Sequence, residues 1–158
     1  MRGLSKESRL LNPDFRDILS VFLEEGVEFL VVGGYAVAAH GLPRATKAID
    51  LWVGCSPANA SRVITALKRF GAAVSEISEK DFLQPGITFQ IGIPPRRIDI
   101  ITEIEGVQFQ NAYPNRISAN LEGISVPVIS RSDLLANKRA LGRPQDLVDA
   151  TWLEKNED

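Results

Sequence analysis

Two aspartates, Asp50 and Asp99, each stand inside an apolar run, Ile49-Asp50-Leu51 and Ile98-Asp99-Ile100. A carboxylate buried among such residues is costly unless water or a positive partner meets it. Each therefore either sits at a strand edge in water or holds something cationic, and burial among isoleucines and leucines favours the cation. Carboxylates fixed on rigid strands are good ligands for hard divalent ions. The chemistry that needs them is phosphoryl or nucleotidyl transfer. It asks the protein for phosphate positioning and for metal ions that neutralise charge on the attacking and leaving oxygens. Upstream, Gly33-Gly34 follows the apolar run Phe29 to Val32. By itself that pair is most often only a turn. Its place ahead of Asp50 is what suggests a phosphate-binding bend.

The elements that must hold these residues can be read from periodicity. Asn12-Pro13 starts a helix in which Phe15, Ile18, Leu19, Phe22 and Leu23 recur at helical spacing and which Gly26 closes. Phe29 to Val32 is a strand, Gly33-Gly34 a tight turn, and Tyr35 to His40 a short alanine-rich helix stopped by Gly41. Ile49 to Val53 is a second strand, with Ile49, Leu51 and Val53 on one face and Ala48, Asp50 and Trp52 on the other. Ser56-Pro57 opens a helix that ends at Gly71, and strands follow over Ile87 to Ile93 and Ile98 to Thr102. Between Glu103 and Ile129 only a Gly106 turn, a Pro114 break and a strand around Val126 to Ile129 are legible. Ser130 caps a helix through Lys138, and Gly142-Arg143-Pro144 separates it from a last helix over Asp146 to Lys155. The expectation is an α+β fold, a mixed sheet flanked by helices, in one domain over 1–158. Its core spans about 12–129, and C-terminal helical motifs follow over about 130–155.

The order Val32-Gly33-Gly34, then Ala48-Ile49-Asp50-Leu51, then Arg97-Ile98-Asp99-Ile100 resembles the signature of the polymerase β-like nucleotidyltransferase superfamily. Ser130 to Leu134, Lys138 and Gly142-Arg143-Pro144-Gln145-Asp146-Leu147-Val148-Asp149 are similar to the later motifs of its AbiEii-like branch, which contains type IV toxins. The resemblance implies a nucleotidyltransferase fold and transfer of a nucleoside monophosphate from an NTP to an acceptor hydroxyl. It also implies Mg2+ (or Mn2+) held by Asp50 and Asp99, and a triphosphate held at Gly33 and Gly34. Lys138 and Arg143 would meet phosphates, and Asp146 would lie close to acceptor or nucleotide. The implied acceptor is tRNA or another RNA, in a toxin with a cognate antitoxin. A small-molecule, antibiotic-type nucleotidyltransferase is the alternative, since such enzymes also carry a Gly-Gly turn before an acidic pair.

The sequence departs from this pattern at Ala48, where the first acidic residue is expected. Alanine cannot ligate a metal, so a chain with this residue is expected to be catalytically impaired, at a loss of several kcal/mol of transition-state stabilisation. An exchange introduced into an active parent is the first reading. A native alanine would instead make the chain a non-catalytic module that binds nucleotide or a partner.

Composition sets the outer limits. With 18 basic against 20 acidic residues, bulk charge gives no grip on nucleic acid, so any RNA contact must be local. Arg96-Arg97 and Arg44 with Lys47 are short basic pairs of the kind usually found at solvated edges. A single cysteine, Cys55, rules out an internal disulfide and suggests a reducing, cytoplasmic setting. Met1 to Leu11 has no apolar signal core, and no run is long enough for a membrane span. His40, the one histidine, reads as a capping or partly buried residue rather than a base, and Trp52 reads as core packing before it reads as the floor of a base pocket.

Overall fold

The computed structural model describes residues 13–121 and 123–156. The described residues open with α1 (Pro13–Glu24), whose Phe15, Ile18, Leu19 and Phe22 are buried. Leu23, expected on the same side, is 39% exposed, because it falls at the edge of a stripe that four residues already fill. The Asn12 cap lies outside the described residues, as do Met1 to Leu11.

Next come β1 (Phe29–Val32), α2 (Gly33–Ala39), β2 (Ala48–Val53) and α3 (Pro57–Phe70). Helix α3 has the ends its sequence calls for. The Ser56 side chain accepts from the Asn59 amide, proline follows it, and Gly71 closes the helix in the left-handed conformation. The glycine pair does not form a separate turn: Gly33 and Gly34 are the first residues of α2 itself, so the chain passes from strand to helix without a loop.

Strands β3 (Thr88–Ile91) and β4 (Arg97–Ile101) follow, then the short α4 (Phe109–Ala112), then β5 (Ile117–Leu121) and β6 (Ile124–Val128). The chain ends in α5 (Arg131–Leu141) and α6 (Pro144–Lys155). The six strands form one mixed sheet in the order β3-β4-β2-β1-β6-β5. Strand β2 runs antiparallel to β1 and parallel to β4, and β1 runs parallel to β6. Besides α4 and the 3-10 turn Tyr113–Asn115 that follows it, two elements have no readable period. Strand β5 is an edge strand with Ser118 and Asn120 exposed, and a 3-10 turn over Glu79–Leu83 buries only Phe82.

The sheet has two different faces. Register pairs Phe29 with Val53 and Val31 with Leu51, and Ile49 with Ile98, which puts these buried residues on one side, where Phe22 of α1 meets Phe29 edge-on at 5.4 Å between ring centres. The other side carries Val32, Ala48, Asp50, Trp52, Arg97 and Asp99. No helix among the described residues is long and apolar enough to cross a membrane.

Candidate active site

On that second side, Asp50 lies in register with Val32 of β1 and with Asp99 of β4. Neighbouring strands are about 4.8 Å apart, so two carboxylates in register share one small volume. Burial and the adjacent Asp99 charge push the Asp50 carboxyl up to about 7, against relief from Arg97 and Lys138. Gly33 closes the site from the β1 side. Its φ of +70° already favours glycine, and a side chain there would collide with Asp50 Oδ2. At Gly34 a side chain would meet Thr46. Both glycines are therefore required by close approach.

Ala48 lies in register with Arg97. Arg97 turns to Asp99, with Nε 2.9 Å from Oδ1 and Nη2 3.1 Å from Oδ2, a bidentate pair. So the place where a third carboxylate would stand holds a methyl group, and the guanidinium beside it neutralises one of the two acids. Among the described residues no three of His, Cys, Asp and Glu gather closely enough to hold a metal. The donor set therefore fits one divalent ion on Asp50 and Asp99, two like charges that a cation would relieve, and offers no ligands for a fuller cradle.

Lys138 of α5 reaches over this face and lines a cleft with Gly33, Asp50 and Arg143. It is 6% exposed. Its ammonium is held 3.1 Å from Asp149 Oδ2 and 3.4 Å from Asp146 Oδ1, both carboxylates being buried on α6. Arg143, an exposed residue at the start of α6, binds Asp146 through Nε at 2.5 Å and Nη2 at 3.1 Å. Arg44 makes a bidentate pair with Asp149. The Arg143 hydrogen bond, with Lys138 adding to it, holds Asp146 below the ordinary carboxylate range despite its burial. Burial pushes Asp149 up, but hydrogen bonds from Arg44, Gln145 and Lys138 outweigh it and leave Asp149 below that range too. The cluster is a fixed lattice of charge with one face turned to the cleft.

The expected residues Gly33, Asp50, Lys138 and Arg143 thus line one cleft, with Asp99 against Asp50. Asp146 lies behind Lys138 and Arg143 as their anchor and does not line the cleft. Sequence reading missed three residues. Arg44 and Arg97 were read as solvated edges, yet both are paired to buried acids, because charge runs carry no record of a partner 105 residues away or of one two positions along the same strand. Asp149 was seen only as part of a motif. Its position three residues after Asp146, one helical turn on, was the available signal. Trp52 is 1% exposed and meets Phe109 edge-on at 5.1 Å, as core packing predicts. His40 caps the C-terminus of α2 through its backbone amide, and its ring Nε2 lies 2.9 Å from the carbonyl of Ile129, just beyond β6.

The model of a family described as "Nucleotidyl transferase AbiEii toxin, Type IV TA system" matches residues 17–158. No curated protein matches the sequence. Among solved structures, the chain is similar to a nucleotidyltransferase-type protein from Thermotoga maritima, with TM-score 0.61 and 16% identity over 94% of this chain and 98% of that one. It is also similar to the lincosamide antibiotic adenylyltransferase LnuA in its lincomycin-bound form, with TM-score 0.56 and 18% identity over 92% and 98%. A third is ANT(2")-Ia in complex with adenylyl-2"-tobramycin, with TM-score 0.50 and 15% identity over 89% and 95%. At these identities the likeness is one of fold.

Proposed function

The chain belongs to the AbiEii nucleotidyl transferase family, and on that premise we propose that its cleft binds a nucleoside triphosphate with one divalent ion and that Ala48 leaves it a slow catalyst. One observation carries this reading: Asp50 and Asp99 meet in register, directly against a glycine whose side chain would fill the site. Asp50 and Asp99 would hold Mg2+ (or Mn2+), which supplies charge neutralisation on the phosphates. Lys138 and Arg143 face the same cleft and supply fixed positive charge for the triphosphate, oriented by Asp146 and Asp149. Gly33 and Gly34 let the backbone approach it.

In the transfer, an acceptor hydroxyl oxygen bonds to the α-phosphorus, the bond to the bridging oxygen breaks with its electron pair going to pyrophosphate, and the hydroxyl proton passes to water. The protein's part is positioning and charge, so a missing ligand is felt in rate more than in binding. Two acceptor classes follow from this reading: RNA, which the resemblance to type IV toxins implies, and a small antibiotic-type molecule, of the kind the lincosamide antibiotic adenylyltransferase LnuA takes.

Titrating the protein with ATP and Mn2+, and following transfer from labelled NTP, tests the reading. The expected result is measurable nucleotide binding that Asp50→Asn and Lys138→Gln each abolish. Transfer should rise on the order of 100-fold or more in Ala48→Asp, which corresponds to about 2.7 kcal/mol. No binding by either form, or equal transfer with and without the Ala48→Asp change, would sink it.

A further inference from the structure

A second cavity, about 730 Å3, adjoins the cleft and shares with it the wall Glu103-Ile104-Glu105. That volume suits a small organic ligand. Trp52 forms part of its lining, and Trp52 lies two residues from Asp50 on the same face of β2, about 7 Å along the strand. A molecule in the cavity is thus within reach of a group held at Asp50 and Asp99.

The cavity's lining is chemically specific. Phe109 stacks on Tyr113 with 5.2 Å between ring centres and 19° between planes, and Gly54 leaves room for Phe109, since a side chain there would lie 2.8 Å from its ring. Around these aromatics stand three carboxylates, Glu28, Glu103 and Glu105, and none pairs with a Lys or Arg among the described residues. No lysine or arginine lines the cavity. The indole Nε1 of Trp52, buried in its wall, has no hydrogen-bond partner. Surfaces that track single-stranded nucleic acid combine aromatic platforms with positive charge. Arg116, outside the lining, already stacks over the Tyr113 ring at 4.1 Å from its centre, but every charged residue on the lining itself is acidic, which repels a polyanion and attracts an ammonium through the carboxylates.

We infer that this cavity is the acceptor subsite and that it takes an organic cation with an apolar body and a hydroxyl group, in preference to RNA. The inference rests on the nucleotidyl-transfer reading above, yet its binding test is independent of it. The probes are three molecules of one size: 2-amino-1-phenylethanol, neutral 1-phenylethanol and the anion mandelate. A short single-stranded RNA serves as competitor. Binding of each is followed by saturation-transfer NMR on the full chain, with ATP and Mg2+ titrated separately.

The expected result is that the amine binds at least tenfold more tightly than the neutral alcohol, mandelate gives no signal and RNA does not displace the amine. Glu28→Gln, an exposed position, and Phe109→Ala should each weaken the amine fivefold or more while ATP affinity stays within twofold. Equal binding of the three probes, displacement by RNA, or indifference to Glu28→Gln would overturn the subsite. Loss of ATP binding alone, with amine binding intact, would instead remove the nucleotide reading and leave the cavity's cation selectivity standing.

Discussion

At the scale of single residues the site is governed by two acids and the cations around them. Asp50 has a folded-state pKa of about 7 against 3.8 for a free carboxyl, chiefly through burial and then the Asp99 charge. The native state therefore holds that proton more tightly than the unfolded chain does. By linkage, stability is unpenalised below about pH 4, falls as pH rises to about 7 and stays lowered above it. Asp50→Asn should accordingly melt higher than the parent at about pH 8, with the advantage gone near pH 4, in paired calorimetric scans. A constant difference across that range would contradict the assigned cause. Mg2+ should raise the parent's melting temperature at about pH 8 and leave Asp50→Asn unchanged. Arg97 belongs to the same balance, because its bidentate hold on Asp99 supplies part of the charge a metal would bring.

At the scale of elements, the passage from β1 into α2 is what brings the backbone against the acids. Two glycines with nearly the same backbone angle separate strain from crowding. Gly26, φ +71°, has nothing near an added side chain, whereas Gly33, φ +70°, has the Asp50 carboxylate in the way. Gly26→Ala should cost about 1 to 2 kcal/mol of conformational strain and leave ATP binding untouched. Gly33→Ala should cost more than that in urea unfolding and should also lose ATP binding. Equal effects of the two changes would mean that the close approach of β1 to Asp50 does not matter.

At the scale of the whole molecule, the α5 and α6 pair is locked to the sheet side of the site by buried charge. Lys138 is shared between Asp146 and Asp149, and Asp149 in turn holds Arg44 from the segment between α2 and β2. Removing one member of a buried network leaves its partners uncompensated, at roughly 3 to 5 kcal/mol. Lys138→Met should thus lower the melting temperature by roughly 6 to 20 °C for a chain of this size, read by calorimetry near neutral pH. Because Asp146 and Asp149 are held below the ordinary range, their stabilisation is present above about pH 4 and fades as pH falls further. A shift of under about 2 °C in Lys138→Met would show the network to be a surface feature.

The sequence by itself determined the elements that local rules control. Ser56-Pro57 with Gly71 set the limits of α3, Ser130 with Gly142 those of α5, and the alternation around Asp50 put Ala48, Asp50 and Trp52 on one face. It also carried ordered motifs that resemble those of the family whose model matches residues 17–158. Only the tertiary structure decided the partners: Arg97 on Asp99, Arg44 on Asp149, Lys138 between two acids, and an acidic aromatic cavity built from β2, the Glu103 to Glu105 segment and α4. The physical reason is range. Caps, turns and side-chain periods act within a few residues, whereas burial and pairing of charge depend on strand order and helix docking, which no local window contains.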